Sequence, residues 1–147
     1  MNYLGRIDNP VSNPNGKQVN TIADLSSVTS NDISLPPGTL TILVPALAGD
    51  WDLQIPEAIN APGTQYTFLV TATLGHSLTI SSAGGTNDIN AIALDHTACV
   101  AHNGVARDSV ILGATCVAGD QVNFVSDGAL WHCRSISRVN GNSITYA

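Results

Sequence analysis

Thr39-Leu40-Thr41-Ile42-Leu43-Val44, Asp50-Trp51-Asp52-Leu53-Gln54-Ile55 and Gln65-Tyr66-Thr67-Phe68-Leu69-Val70 are the stretches whose reading decides the fold. Leu40, Ile42 and Val44 alternate with Thr39, Thr41 and Leu43. Trp51, Leu53 and Ile55 alternate with Asp50, Asp52 and Gln54, and Tyr66, Phe68 and Val70 with their own neighbours. A period of two puts successive side chains on opposite faces of an extended chain, so each stretch reads as a strand with one buried face.

The pattern continues outward. Leu78 and Ile80, then Val122 and Phe124, then Trp131, Cys133 and Ser135 repeat the alternation. Ile89 to Leu94, Cys99 to His102, Ser109 to Leu112 and Ser143 to Tyr146 add short apolar or β-branched runs. Asp127-Gly128 between two such runs is a strong hairpin signal. Gly, Pro, Asn and Asp bound the segments, which predicts an all-β fold of about 8–10 short strands. A strand that alternates covers only one side, so a second sheet must close over it. No long segment repeats every 3.6 residues, so helical crossovers are not expected. The expectation is therefore an antiparallel β-sandwich or jelly-roll-like barrel.

Residues 1–35 differ: Asn9-Pro10, Asn13-Pro14 and Asn15-Gly16 are turn signals, and strict alternation is missing. Ile22-Ala23-Asp24-Leu25 has the pattern of one helical turn. The organisation predicted is an N-terminal arm or lead-in, 1–35, followed by a β-sandwich domain, 36–147.

The composition bounds the function. Charged residues are 11% of the chain, against about 25% in an ordinary domain. There is one Lys (Lys17) and one Glu (Glu57), while Ser, Thr and Asn number thirteen each. Such a polar set favours turns and strands over exposed helix. It also suits a surface that partners cover. A net charge of −6 with scattered arginines disfavours gripping a phosphate backbone or an anionic membrane. No run approaches the ~18 apolar residues of a spanning helix. The first residues lack the charged and apolar regions of a secretion signal, which predicts synthesis and use without Sec export. The three cysteines, Cys99, Cys116 and Cys133, cannot form a closed set of disulfides and are expected as buried thiols.

Several clusters invite a chemical reading. His96-x-x-Cys99-x-x-His102 has the residue types of a zinc site, but a single strand would put Cys99 on the face opposite both histidines. Cys133 with His76 or His96 offers a thiol and a base, yet nothing in the sequence lowers the thiol pKa. Asp50 and Asp52 share a face, as a carboxylate pair would, or as a solvated row. Trp51 and Trp131 suit either a sugar-stacking platform or the core. For each, the structural reading is the simpler one; neither enzyme activity nor any cofactor or metal is expected.

Two segments carry a resemblance. Trp51-Asp52-Leu53-Gln54-Ile55-Pro56 leads through Ala61-Pro62-Gly63-Thr64 into Gln65-Tyr66-Thr67-Phe68-Leu69-Val70 and then Leu78-Thr79-Ile80. Gly119-Asp120-Gln121-Val122-Asn123-Phe124-Val125-Ser126-Asp127-Gly128 ends in Trp131. Together they resemble a β pattern of tailed-bacteriophage virion structural proteins: a strand ending in Ile-Pro, a Gly-containing loop into a Tyr/Phe strand, and a closing Ser-Asp-Gly-x-x-Trp hairpin. The resemblance covers about a third of the chain and is most like capsid decoration (cement) proteins. It implies a homotrimer on the outer capsid surface of the virion, made in the host cytoplasm, with the major capsid protein as partner and no nucleic acid or membrane contact. A tail or fibre module that binds a host receptor or glycan is the alternative it implies. Arms of such proteins can add strands to neighbouring sheet edges. Tyr3, Leu4, Arg6 and Ile7 are the expected anchors, and removing residues 1–20 is expected to leave a folded domain that no longer binds capsid.

Overall fold

A computed structural model describes residues 18–21, 33–35, 37–85, 88–95, 99–100, 107–138 and 143–147, with backbone alone for 18–21, 33–34, 92–95 and 99–100. The Ile22–Leu25 turn lies outside them. Twelve strands are present among the described residues: β1 Gln18–Thr21, β2 Ile33–Ser34, β3 Thr39–Val44, β4 Trp51–Ile55, β5 Gln65–Val70, β6 Leu78–Ser82, β7 Ile89–Asp95, β8 Cys99–Val100, β9 Ser109–Leu112, β10 Gln121–Ser126, β11 Trp131–Ser137 and β12 Ile144–Tyr146. They form a seven-stranded sheet, β1-β3-β5-β10-β11-β7-β8, and a five-stranded sheet, β12-β9-β6-β4-β2. The two pack face to face as a β-sandwich, and the sheet edges do not join into a closed barrel.

The sheets are mixed, and this corrects the antiparallel expectation. β1-β3, β3-β5, β2-β4, β4-β6 and β7-β11 are parallel; β5-β10, β10-β11, β6-β9, β9-β12 and β7-β8 are antiparallel. Parallel neighbours need a crossover, usually a helix. Here the crossover is a strand of the other sheet. The chain leaves β3, crosses to β4, returns as β5 beside β3, and crosses again to β6 beside β4. The first half is thus a flattened coil wound around its own core. The 1–35 stretch supplies its outermost strands, β1 and β2.

Alternation places the core. Leu40, Ile42 and Val44, Tyr66, Phe68 and Val70, Val122 and Phe124, and Trp131 and Cys133 point inward from the seven-stranded sheet. Trp51, Leu53, Ile55, Leu78, Ile80, Val110, Leu112 and Ile144 face them from the five-stranded sheet. Each such large apolar side chain contributes about 1.5–3 kcal/mol when fully buried. Tyr66 stacks on Trp131 at 5.4 Å between ring centroids, and Phe124 meets both Trp131 and Phe68 edge-on at 6.2 and 5.9 Å. This aromatic row crosses β5, β10 and β11, so the middle of the larger sheet is the best-anchored part of the molecule.

Candidate functional site

The motif residues of the two resembling segments, far apart in sequence, meet at one end of the sandwich. β4 ends at Ile55, and the Pro56 carbonyl that follows accepts the indole N–H of Trp131 at 2.8 Å. A 3-10 turn, Ala58–Asn60, then carries the chain over to β5. The Ser126 hydroxyl donates to the Ala58 carbonyl at 2.9 Å, and the Ser126 carbonyl accepts the Gly63 N–H at 2.9 Å. Asp88 Oδ2 accepts the Ala58 N–H at 3.2 Å and also the Ser82 hydroxyl. Both backbone groups of Ala58 are therefore held by side chains distant in sequence, from β10 and from just before β7.

The closing hairpin is fixed by its aspartate. Asp127 Oδ1 accepts the N–H groups of Ala129 and Leu130 at 2.7 and 2.8 Å, and Oδ2 lies 2.7 Å from His132 Nε2. The hydrogen bond to His132, helped by the two amides, holds the Asp127 carboxyl well below the usual range. Gly128 adopts φ +91°, which a side chain disfavours. A side chain here would also press on Pro62. Asp-Gly is thus required by the turn, one residue for its carboxylate and the next for its backbone.

A second aspartate organises the opposite end. Asp120 is fully buried; its Oδ2 accepts the Val117 N–H at 3.0 Å and its Oδ1 the Arg138 N–H at 2.6 Å. The Arg138 guanidinium reaches back to the Ala118 carbonyl at 2.9 Å. Sequence reasoning missed Asp120 as a structural centre. Ala-Gly-Asp occurs both at 48–50 and at 118–120, each before an alternating strand, but the two turns differ. Gly119 has φ +99° and Gly49 does not take such a conformation, and Asp50 is exposed.

The chemical candidates separate. Asp50 accepts the Ser77 N–H and hydroxyl, both at 2.8 Å, and these bonds hold its carboxyl below the usual value. His76 stands 3.8 Å from it. Asp52 points to solvent without facing Asp50 across a cleft, so the two do not form a reacting pair. Cys133 is buried on the inner face of β11 and His132 is exposed on the outer, so adjacent positions point apart. His76 is likewise exposed, away from Cys133. Burial pushes the Cys133 thiol up, and burial with the nearby Asp120 charge pushes Cys116 up to about 12. Neither is an activated nucleophile. Cys116 donates to the Ser143 carbonyl at 3.1 Å, the role of a packed thiol. Both tryptophans lie in the core, so neither supplies a sugar-stacking platform.

His96 and His102 lie outside the described residues, as do Tyr3, Leu4, Arg6 and Ile7, and Cys99 is described by its backbone alone. Among the described residues no three His, Cys, Asp or Glu side chains come together as a metal site. No helix among them is long and apolar enough to cross a membrane. What the arrangement does chemically is rigidify: hydroxyls and carboxylates of Ser82, Asp88, Ser126, Asp127 and Asp120 are committed to backbone groups of the connecting loops. Compared with protein-family models, curated proteins and solved structures, the chain matches none of them.

Proposed function

We propose that this chain is a virion structural protein that attaches to the outside of an assembled bacteriophage capsid and bridges neighbouring subunits of the major capsid protein. The observation that carries the proposal is the convergence of the resembling motifs. Ile55-Pro56, the Pro62-Gly63 loop, Tyr66 and Ser126-Asp127-Gly128 with Trp131 form one locked end of the sandwich. Loops held this firmly present a fixed surface, which lowers the ordering cost of docking. Sheet exteriors rich in Thr, Ser, Asn and Gln, with few charges, suit a surface that is covered in use.

Attachment in this reading is multivalent. A homotrimer seated on a symmetry axis repeats one modest contact, and effective concentration turns it into firm binding. The arm residues Tyr3, Leu4, Arg6 and Ile7 supply strand-type contacts to neighbours. The test is co-sedimentation of the full chain with assembled capsids of its phage. Because Gln18–Thr21 is a strand, the arm is isolated by removing residues 1–17 rather than 1–20. The full chain should pellet with capsids and the truncated chain should fold but stay in the supernatant. A full chain that never pellets, yet binds reproducibly on a glycan array, would move the assignment to a tail or fibre receptor-binding module.

A further inference from the structure

We infer that the chain associates head to tail with copies of itself, the Ile59 end of one copy seating on the outer face of the seven-stranded sheet of the next. Ile59 is 70% exposed, and with Val125 it is one of two large hydrophobic residues exposed among those described. It is not on a loose loop. The Ala58 N–H is held by Asp88 and the Ala58 carbonyl by Ser126, while Asn60 bonds Glu57 through both its N–H and its side-chain amide at 3.0 Å. A rigidly mounted aliphatic knob with one carboxylate beside it, Glu57, is a preorganised contact.

The matching surface is on the same molecule. On the outer face of β3, β5, β10 and β11, Leu43, Leu69 and Ile136 fall in one register row, with Gln121 between the last two. Val125, 41% exposed, lies on the same face, and Arg134 projects from it. No outward side chain described on these four strands is a carboxylate, and the Asp127 carboxylate that reaches this face is paired with His132. The outer face of β4 in the other sheet carries Asp52 instead. The apolar row beside Arg134 complements an apolar knob flanked by Glu57. A second copy is the occupant that these two surfaces specify for one another.

Loop ends lie along the strand axis and sheet faces lie across it. Contact between an end and a face is heterologous; it closes into a ring where the rotation between copies allows, and the proposed homotrimer is the closed case. The inference deepens the proposed function and rests on it for the use made of the ring, but its test needs no capsid.

Sedimentation velocity of the full chain from micromolar to millimolar concentration should show mass rising above the monomer to a fixed limit. Ile59→Asp and Arg134→Glu, both at solvent-facing positions, should each weaken association by more than about tenfold with the unfolding midpoint unchanged. Mixing the two variants is the decisive arm. A head-to-tail contact leaves one intact pairing, the knob of the Arg134→Glu chain on the face of the Ile59→Asp chain, so the mixture should form dimers and nothing larger. A wild-type chain that stays monomeric, variants that associate like wild type, or a mixture that stays monomeric would each overturn the inference. None of these results bears on whether the chain pellets with capsids.

Discussion

Trp131 donates its indole N–H to the carbonyl of Pro56 at 2.8 Å, across 75 residues of sequence and from one sheet to the other. The same ring stacks on Tyr66. One side chain thereby joins the end of β4, the start of β5 and the closing hairpin. Trp131→Phe keeps most of the ring contact and leaves the Pro56 carbonyl without its donor, a loss of about 1–2 kcal/mol. Trp131→Ala also empties the site and should cost about 3–5 kcal/mol. Urea unfolding followed by circular dichroism separates the two; equal losses would show that the hydrogen bond alone matters there.

Asp120 makes a second, independent prediction. Its carboxylate serves two backbone N–H groups, that of Val117 in the loop before β10 and that of Arg138 just after β11. Asp120→Ala strands both donors and should destabilise by about 2–5 kcal/mol, each unsatisfied buried group costing about 1–3. Asp50→Ala at the similar-looking turn should cost much less, because Asp50 is exposed and water can take its place at Ser77. Thermal melts of the two variants side by side check the contrast.

The buried thiols set an alkaline limit. In the unfolded chain a cysteine ionises near its ordinary value of 9.0, whereas folded Cys116 holds its proton until about 12. Burial pushes Cys133, Tyr66 and Tyr146 upward as well. Between these limits the unfolded state binds fewer protons than the folded one, so stability falls as pH rises. It should be fully present below about pH 9 and decline from there toward 12. Denaturation midpoints at a series of pH values test this, and Cys116→Ser with Cys133→Ser should flatten the decline. Both thiols should also resist a disulfide reagent until the protein unfolds.

How much of this was legible in the sequence follows from what periodicity encodes. Leu40, Ile42 and Val44, or Tyr66, Phe68 and Val70, announce a buried face because burial filters every second position. The same letters are silent on which strand lies alongside. A strand of β4's pattern pairs equally well in either direction, so the parallel β4-β6 ladder was hidden, and the general rule that parallel pairs need helices pointed the wrong way. The hairpin at Asp127-Gly128 was legible because its turn geometry demands those two residues. Asp120 was not, because nothing local distinguishes an aspartate that faces water from one turned inward onto a distant Arg138 amide.

The place of β10 and β11 bears on how the protein is made. These two strands lie in the middle of the larger sheet, between β5 and β7, although they come late in the chain. A ribosome delivers β3, β5 and β7 first, so the nascent polypeptide presents two unfilled strand edges until residues 121–137 emerge. Open edges of this kind invite pairing with the wrong chain. Expression yield should therefore respond to translation speed and to chaperone supply more than the stability of the finished domain would indicate.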